Sequence, residues 1–108
     1  MPWAVLLTDD AARDLDDLYA HIAAHDTPGK AELVLGRIEK AFISLARSPE
    51  RGVWPKELVT LGITEYREIF FKPYRIIYRV MGKRVYILLI ADGRRDMKIL
   101  LQRRLLEG

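Results

Sequence analysis

Apolar and polar positions alternate along this chain in two rhythms, one helical and one strand-like. Trp3 to Leu7 is apolar, uncharged and cut off by Thr8-Asp9-Asp10, which predicts a short strand followed by a helix start. Ala11, Leu15, Leu18, Tyr19 and Ile22 then recur at three- and four-residue spacing, with Asp14, Asp16 and Asp17 between them. That is one face of an amphipathic helix running to about Ala24. His25-Asp26-Thr27-Pro28-Gly29 interrupts it and offers a new cap, Thr27, with proline at the first helical position. A second stripe follows through Ala31, Val34, Leu35, Ile38, Ala41, Phe42 and Leu45, to about Ala46. The short link predicts an antiparallel helical hairpin.

Ser48-Pro49-Glu50-Arg51-Gly52 ends that helix, and the chain to about Gly62 reads as loop. Three strand-like runs come next: Glu65 to Phe71, Tyr74 to Val80, and Arg84 to Ala91. Their connections, Lys72-Pro73 and Met81-Gly82-Lys83, are short enough for an antiparallel meander. Met97, Leu100, Leu101 and Leu105 give the tail from Arg95 to Glu107 a helical spacing. The expectation is a single α+β domain over residues 1–108. An N-terminal strand and a helical hairpin pack on a mainly antiparallel sheet (β-α-α-β-β-β), and a C-terminal helix follows. Helices would cover one sheet face, leaving all or part of the other for water or a partner.

Composition narrows the function classes. Half of the 108 residues are hydrophobic and 31% are charged, as in a globular protein. There is no cysteine, so neither a disulfide nor a thiolate metal site supports the fold. The N-terminus lacks the basic start and long apolar stretch of a signal peptide, and no apolar run reaches membrane-spanning length. Those features predict a cytoplasmic protein with no membrane partner. The net charge of +3 hides an asymmetry: residues 1–60 carry 7 Lys/Arg against 10 Asp/Glu, and residues 61–108 carry 11 against 5. A basic C-terminal half suits an acidic partner, or equally an exposed sheet face solvated by arginine.

The candidate chemistry lies in that half. Strand alternation in Tyr74-Arg75-Ile76-Ile77-Tyr78-Arg79-Val80 places Arg75, Ile77 and Arg79 on one face and the other four on the opposite face. With Arg67, Arg94 and Arg95 they make a candidate cluster for phosphate or carboxylate. The alternatives are ordinary surface arginines and internal ion pairs with Glu65, Glu68 or Asp96. His21 and His25 are four apart on the first helix, but no further metal ligands are visible, and neither metal nor cofactor is expected. Tyr66, Phe70, Phe71, Tyr74, Tyr78 and Tyr86 are base-stacking candidates, although their spacing favours core packing. No Gly-rich phosphate loop or nucleophile elbow is present.

The stretch Tyr66-Arg67-Glu68-Ile69-Phe70-Phe71-Lys72-Pro73-Tyr74-Arg75-Ile76-Ile77-Tyr78-Arg79-Val80 resembles the RelE/ParE toxin family, as do Val85-Tyr86-Ile87-Leu88 and Asp92-Gly93-Arg94-Arg95-Asp96. The resemblance implies the toxin of a type II toxin–antitoxin pair, bound by a ParD-like antitoxin whose flexible segment folds onto it. RelE-like members cut mRNA on the ribosome with basic side chains and usually a C-terminal tyrosine. On that branch Arg67, Arg75 and Arg95 would be catalytic, but Met97 and Lys98 stand where the tyrosine is expected, and Lys98 or Lys72 would have to donate the proton. ParE-like members poison DNA gyrase and lack the nuclease set. The Arg-Glu-Ile-Phe-Phe-Lys-Pro-Tyr-Arg run looks closer to that branch, which implies a gyrase inhibitor rather than an enzyme. In either case Arg67, Arg75, Arg79, Arg94 and Arg95 are the expected contacts to target or antitoxin.

Overall fold

The computed structural model describes residues 2–107. Strand β1 (Ala4–Leu7) leads into α1 (Asp9–His25). The Thr8 hydroxyl accepts the Ala11 N–H at 3.1 Å, and Asp9 and Asp10 sit in the positive first turn. Helix α2 (Pro28–Ile43) starts the same way, with the Lys30 N–H donating to Thr27 Oγ1 at 3.0 Å, and closes in a tighter turn over Ser44–Ala46. A one-turn helix, α3 (Lys56–Val59), lies inside the segment expected to be loop. Strands β2 (Arg67–Phe71), β3 (Tyr74–Met81) and β4 (Arg84–Asp92) follow as the expected meander, with β2 beginning two residues later than its apolar pattern suggested. Helix α4 (Met97–Leu101), capped by Asp96, continues as wider turns over Gln102–Leu106. Among the described residues no helix is long and apolar enough to cross a membrane.

The four strands form one sheet in the order β1-β4-β3-β2, with β1 parallel to β4 and the other neighbours antiparallel. Helices α1 and α2 cover one face. There Ala11, Leu15, Ile38, Phe42 and Leu45 pack against Ile69, Ile76, Tyr78, Val85, Ile87 and Ile90. Tyr78 anchors the loop beyond α2: its fully buried hydroxyl donates to the Pro49 carbonyl at 2.7 Å and accepts the Gly52 N–H at 3.0 Å. Gly52 must be glycine, because a Cβ there would lie 2.5 Å from that hydroxyl and 2.7 Å from the Glu68 carbonyl.

The second face is not left open along its whole length. A smaller core of Leu58, Ile77, Leu89, Ala91, Met97 and Leu101 is covered by α3 and α4. Strand β4 serves both cores through a bulge. Ile77 pairs with Leu89 but Tyr78 pairs with Ile87, so Leu88 is an extra residue and both Leu88 and Leu89 turn to the second face.

Candidate functional site

The basic residues singled out from the sequence go to four separate places, and the register of the sheet explains why. Cross-strand partners share a face, so Arg67, opposite Tyr78, lies on the helical side, whereas Arg75 and Arg79 lie on the second face. At the rim of the helical side the Arg67 guanidinium donates to the Gly52 carbonyl at 2.9 Å and stacks over Trp54, 5.9 Å from the ring centroid. Arg94 and Arg95 line a cleft of about 530 Å³ between α1 and the β4–α4 turn, together with Asp14, His21, Tyr74 and Asp92. Arg94 is turned back on Asp92, its Nε 2.9 Å from Oδ1, which holds the Asp92 carboxyl below the usual range. Arg95 is exposed and has no side-chain ion pair among the described residues. A single five-arginine cluster therefore does not form.

Arg75 is the residue whose setting departs furthest from a phosphate-binding arginine. It is 8% exposed, and all three guanidinium nitrogens face carboxylate oxygens. Nε donates to Glu68 Oε1 at 2.6 Å, while Nη1 and Nη2 fork the two oxygens of Glu57 at 2.8 and 2.7 Å. Glu68 is itself only 4% exposed. The hydrogen bonds from Arg75 push the Glu57 carboxyl below its ordinary value, and Glu57 in turn holds Arg75 firmly protonated. Gly93 makes room for this: a Cβ there would sit 2.9 Å from Arg75 Cδ. For Arg75, of the readings open from the sequence, the internal ion pair with Glu68 is the one the structure contains. Glu57 was missed because it lies in a segment without periodicity, where no local signal ties a carboxylate to a strand 18 residues away.

The rest of the second face, beyond α4, is the part left uncovered. Tyr66, Arg79, Met81, Tyr86 and Leu88 come together there around a shallow cavity of about 260 Å³, and Leu6 lies beside Tyr86 on the neighbouring strand. Arg79 leans over the Tyr66 ring at 5.7 Å and reaches Glu65 at 3.4 Å. The surface is apolar and aromatic with Arg79 and Arg84 at its margin, and Arg104 beside it is forked to Asp14. Of the aromatic candidates, Phe71, Tyr74 and Tyr78 belong to the helical-face core, Phe70 is half-exposed on the second face, and only Tyr66 and Tyr86 line this open half. His21 and His25 stack on one another with centroids 4.3 Å apart. Lys72 and Lys98 are exposed, and Lys98 lies in a groove beside Glu57 and Leu61.

The chain resembles known toxins throughout. Residues 5–97 match the family described as the ParE toxin of the type II toxin–antitoxin system parDE. Toxin ParE3 of Caulobacter vibrioides is 31% identical over 93 residues, which is 86% of this chain and 89% of that protein. Among solved structures, the chromosomal ParDE system of P. aeruginosa superposes with a TM-score of 0.71 at 24% identity, covering 83% of this chain and 95% of that one. The RelBE2 toxin–antitoxin complex of Mycobacterium tuberculosis gives 0.58 at 26% identity, covering 85% and 92%. A substituted E. coli toxin RelE in the free state gives 0.64 at 14% identity, covering 98% and 100%, a likeness of fold alone.

Proposed function

This chain belongs to the ParE toxin family of type II toxin–antitoxin systems, and on that premise we propose that it acts in the cytoplasm as a single-domain inhibitor of DNA gyrase, held silent by a cognate ParD-like antitoxin. The observation that carries the choice of target is the state of Arg75. Cleaving RNA requires cationic donors aimed at the charge that builds on the phosphate, together with a group that moves a proton. A guanidinium that is buried and bonded through each nitrogen to Glu57 or Glu68 keeps only two of its five N–H donors free, and two carboxylates outweigh its single positive charge. Arg67 lies on the opposite face and Arg95 at a different cleft, so the three arginines of the nuclease alternative do not converge. Arg75 is then a structural residue that ties α3 to the sheet.

The open half of the second face is the place we assign to the antitoxin. An exposed apolar patch edged by cations suits a segment that is amphipathic and acidic, disordered when free and ordered when bound. Arg79 is the arginine of the five placed to contact it. Expression of the chain without antitoxin in a gyrase-sensitive host tests the target: the reading expects DNA-damage signalling with cellular messages left uncut. Widespread cleavage of messages, without damage signalling, would reject it.

A further inference from the structure

Strand β1 is the outermost strand of the sheet, and its free edge is unusual in lacking protection. The Ala4 N–H donates to the Lys83 carbonyl at 3.0 Å and the Thr8 N–H to the Ile87 carbonyl at 3.1 Å. Even-numbered residues therefore turn toward β4, and Val5 and Leu7 turn their N–H and C=O groups outward. Trp3 also turns outward, and its N–H is satisfied by the Ala46 carbonyl at 2.8 Å. Among the described residues, the main-chain groups of Val5 and Leu7 have no partner on that side. The opposite edge of the sheet is guarded. There β2 carries Arg67 and Glu68, and Glu68 exchanges hydrogen bonds of 3.0 and 2.7 Å with Val53. By contrast, Ala4-Val5-Leu6-Leu7 has no charge, no proline and no bulge, and Leu6 is 41% exposed.

The charges at the two ends of β1 say what fits this edge. Asp9 and Asp10 follow its C-terminal end, while Lys83, Arg84 and Arg47 surround its N-terminal end, with Lys83 over the Trp3 ring and Arg84 beside Ala4. A strand that is apolar in the middle, with cations beside its start and carboxylates beyond its end, complements this edge when it runs antiparallel, and this chain's own β1 has that setting, its cations supplied by Lys83, Arg84 and Arg47 of neighbouring elements. We propose that the antitoxin-free protein associates with a second copy of itself through antiparallel pairing of the two β1 edges, giving one continuous eight-stranded sheet.

Centred on Leu6, the pairing sets Val5 opposite Leu7 of the second copy, and the reverse. Those two pairs exchange four main-chain hydrogen bonds. The two Leu6 side chains meet across the symmetry axis as a non-hydrogen-bonded pair with Cα atoms about 4.5 Å apart. Such a contact is small, so the dimer dissociates on dilution.

The native chain has no cysteine, which allows a direct test. Leu6→Cys places two thiols at a spacing that a disulfide spans. Under mild oxidation of the full chain, it should crosslink roughly tenfold faster than Leu33→Cys, a half-exposed control on α2. Light scattering across a dilution series should show a reversible monomer–dimer equilibrium. Leu6→Asp, which sets two carboxylates face to face, should weaken that equilibrium at least about tenfold while circular dichroism stays native. The proposal is overturned by a wild-type chain that stays monomeric at every concentration, or by a dimer that Leu6→Asp does not weaken. It is also overturned if Val5 and Leu7 amides become protected only when the antitoxin is added, which would give the edge to a strand of that partner.

Discussion

The Arg104 guanidinium grips both carboxylate oxygens of Asp14, at 2.8 and 2.9 Å, across 90 residues of sequence. The pair closes an edge. Beyond Leu7 the sheet loses β1, and β4 would present unpaired main-chain groups next to its bulge. Asp14 Oδ2 accepts the Ile90 N–H at 3.0 Å, and Arg104 Nη1 donates to the Leu88 carbonyl at 2.8 Å, so two side chains replace the missing strand. The same contact fastens the C-terminal segment to α1 and holds Arg104 more firmly protonated.

Replacing Arg104 with glutamine removes the fork and leaves the Leu88 carbonyl without its partner. The expected cost is about 1–3 kcal/mol, read from denaturant unfolding. Amide exchange should quicken at Ile90 and through Met97–Leu101, while the centre of α2 is unchanged. Uniformly faster exchange would mean that Arg104 supports the whole fold rather than this edge.

Arg75→Met leaves Glu68 buried without a counter-charge, and a loss of about 3–5 kcal/mol is expected. Adding Glu68→Gln to that variant should recover part of the loss, because the uncompensated charge is then gone. A thermal melt of the two variants decides it, and equal stability for both would show that Glu68 is not the source of the penalty.

The Glu57 carboxyl is held below its ordinary value of 4.5, chiefly by its hydrogen bonds from Arg75. A depressed carboxylate contributes stability that is present above its unfolded value and is lost as pH falls through the folded one. Stability should therefore decline in acid from about pH 5 downward. In Glu57→Gln this part of the acid limb should flatten, with a cost near neutral pH of about 1–3 kcal/mol. An unchanged acid limb would exclude Glu57 as the titrating group.

Tyr78→Phe removes a fully buried hydroxyl that both donates and accepts, leaving the Pro49 carbonyl and the Gly52 N–H unsatisfied. A loss of about 1–3 kcal/mol is expected in urea unfolding. Burial pushes the Tyr78 phenol above its ordinary value, and that of Tyr74 as well, so alkaline titration should show one late-ionising tyrosine fewer in the variant than in the wild type.

Much of the fold was legible in the sequence because its signals are local. Thr8 and Thr27 cap as their positions suggested, the helical stripes bury Leu15, Ile22, Ile38 and Phe42, and β3 places Tyr78 and Arg75 on opposite faces. The arginines were less legible, because alternation fixes a face within one strand but not between strands. Arg67 could be assigned only once its pairing with Tyr78 was known. Arg75 was read as a candidate for anion binding because its second partner, Glu57, comes from a one-turn helix with no periodic signature. The bulge at Leu88 was equally hidden, since two consecutive leucines fit a regular strand as well as a bulged one.

The proposed action on gyrase rather than RNA can be measured with purified gyrase, free of the cell. Antitoxin-free protein, shown to be folded by circular dichroism, is added to gyrase with relaxed and supercoiled plasmid. Loss of supercoiling and accumulation of cleaved DNA trapped on the enzyme are the expected result. Full gyrase activity in the presence of folded toxin, together with cutting of mRNA on translating ribosomes, would contradict it.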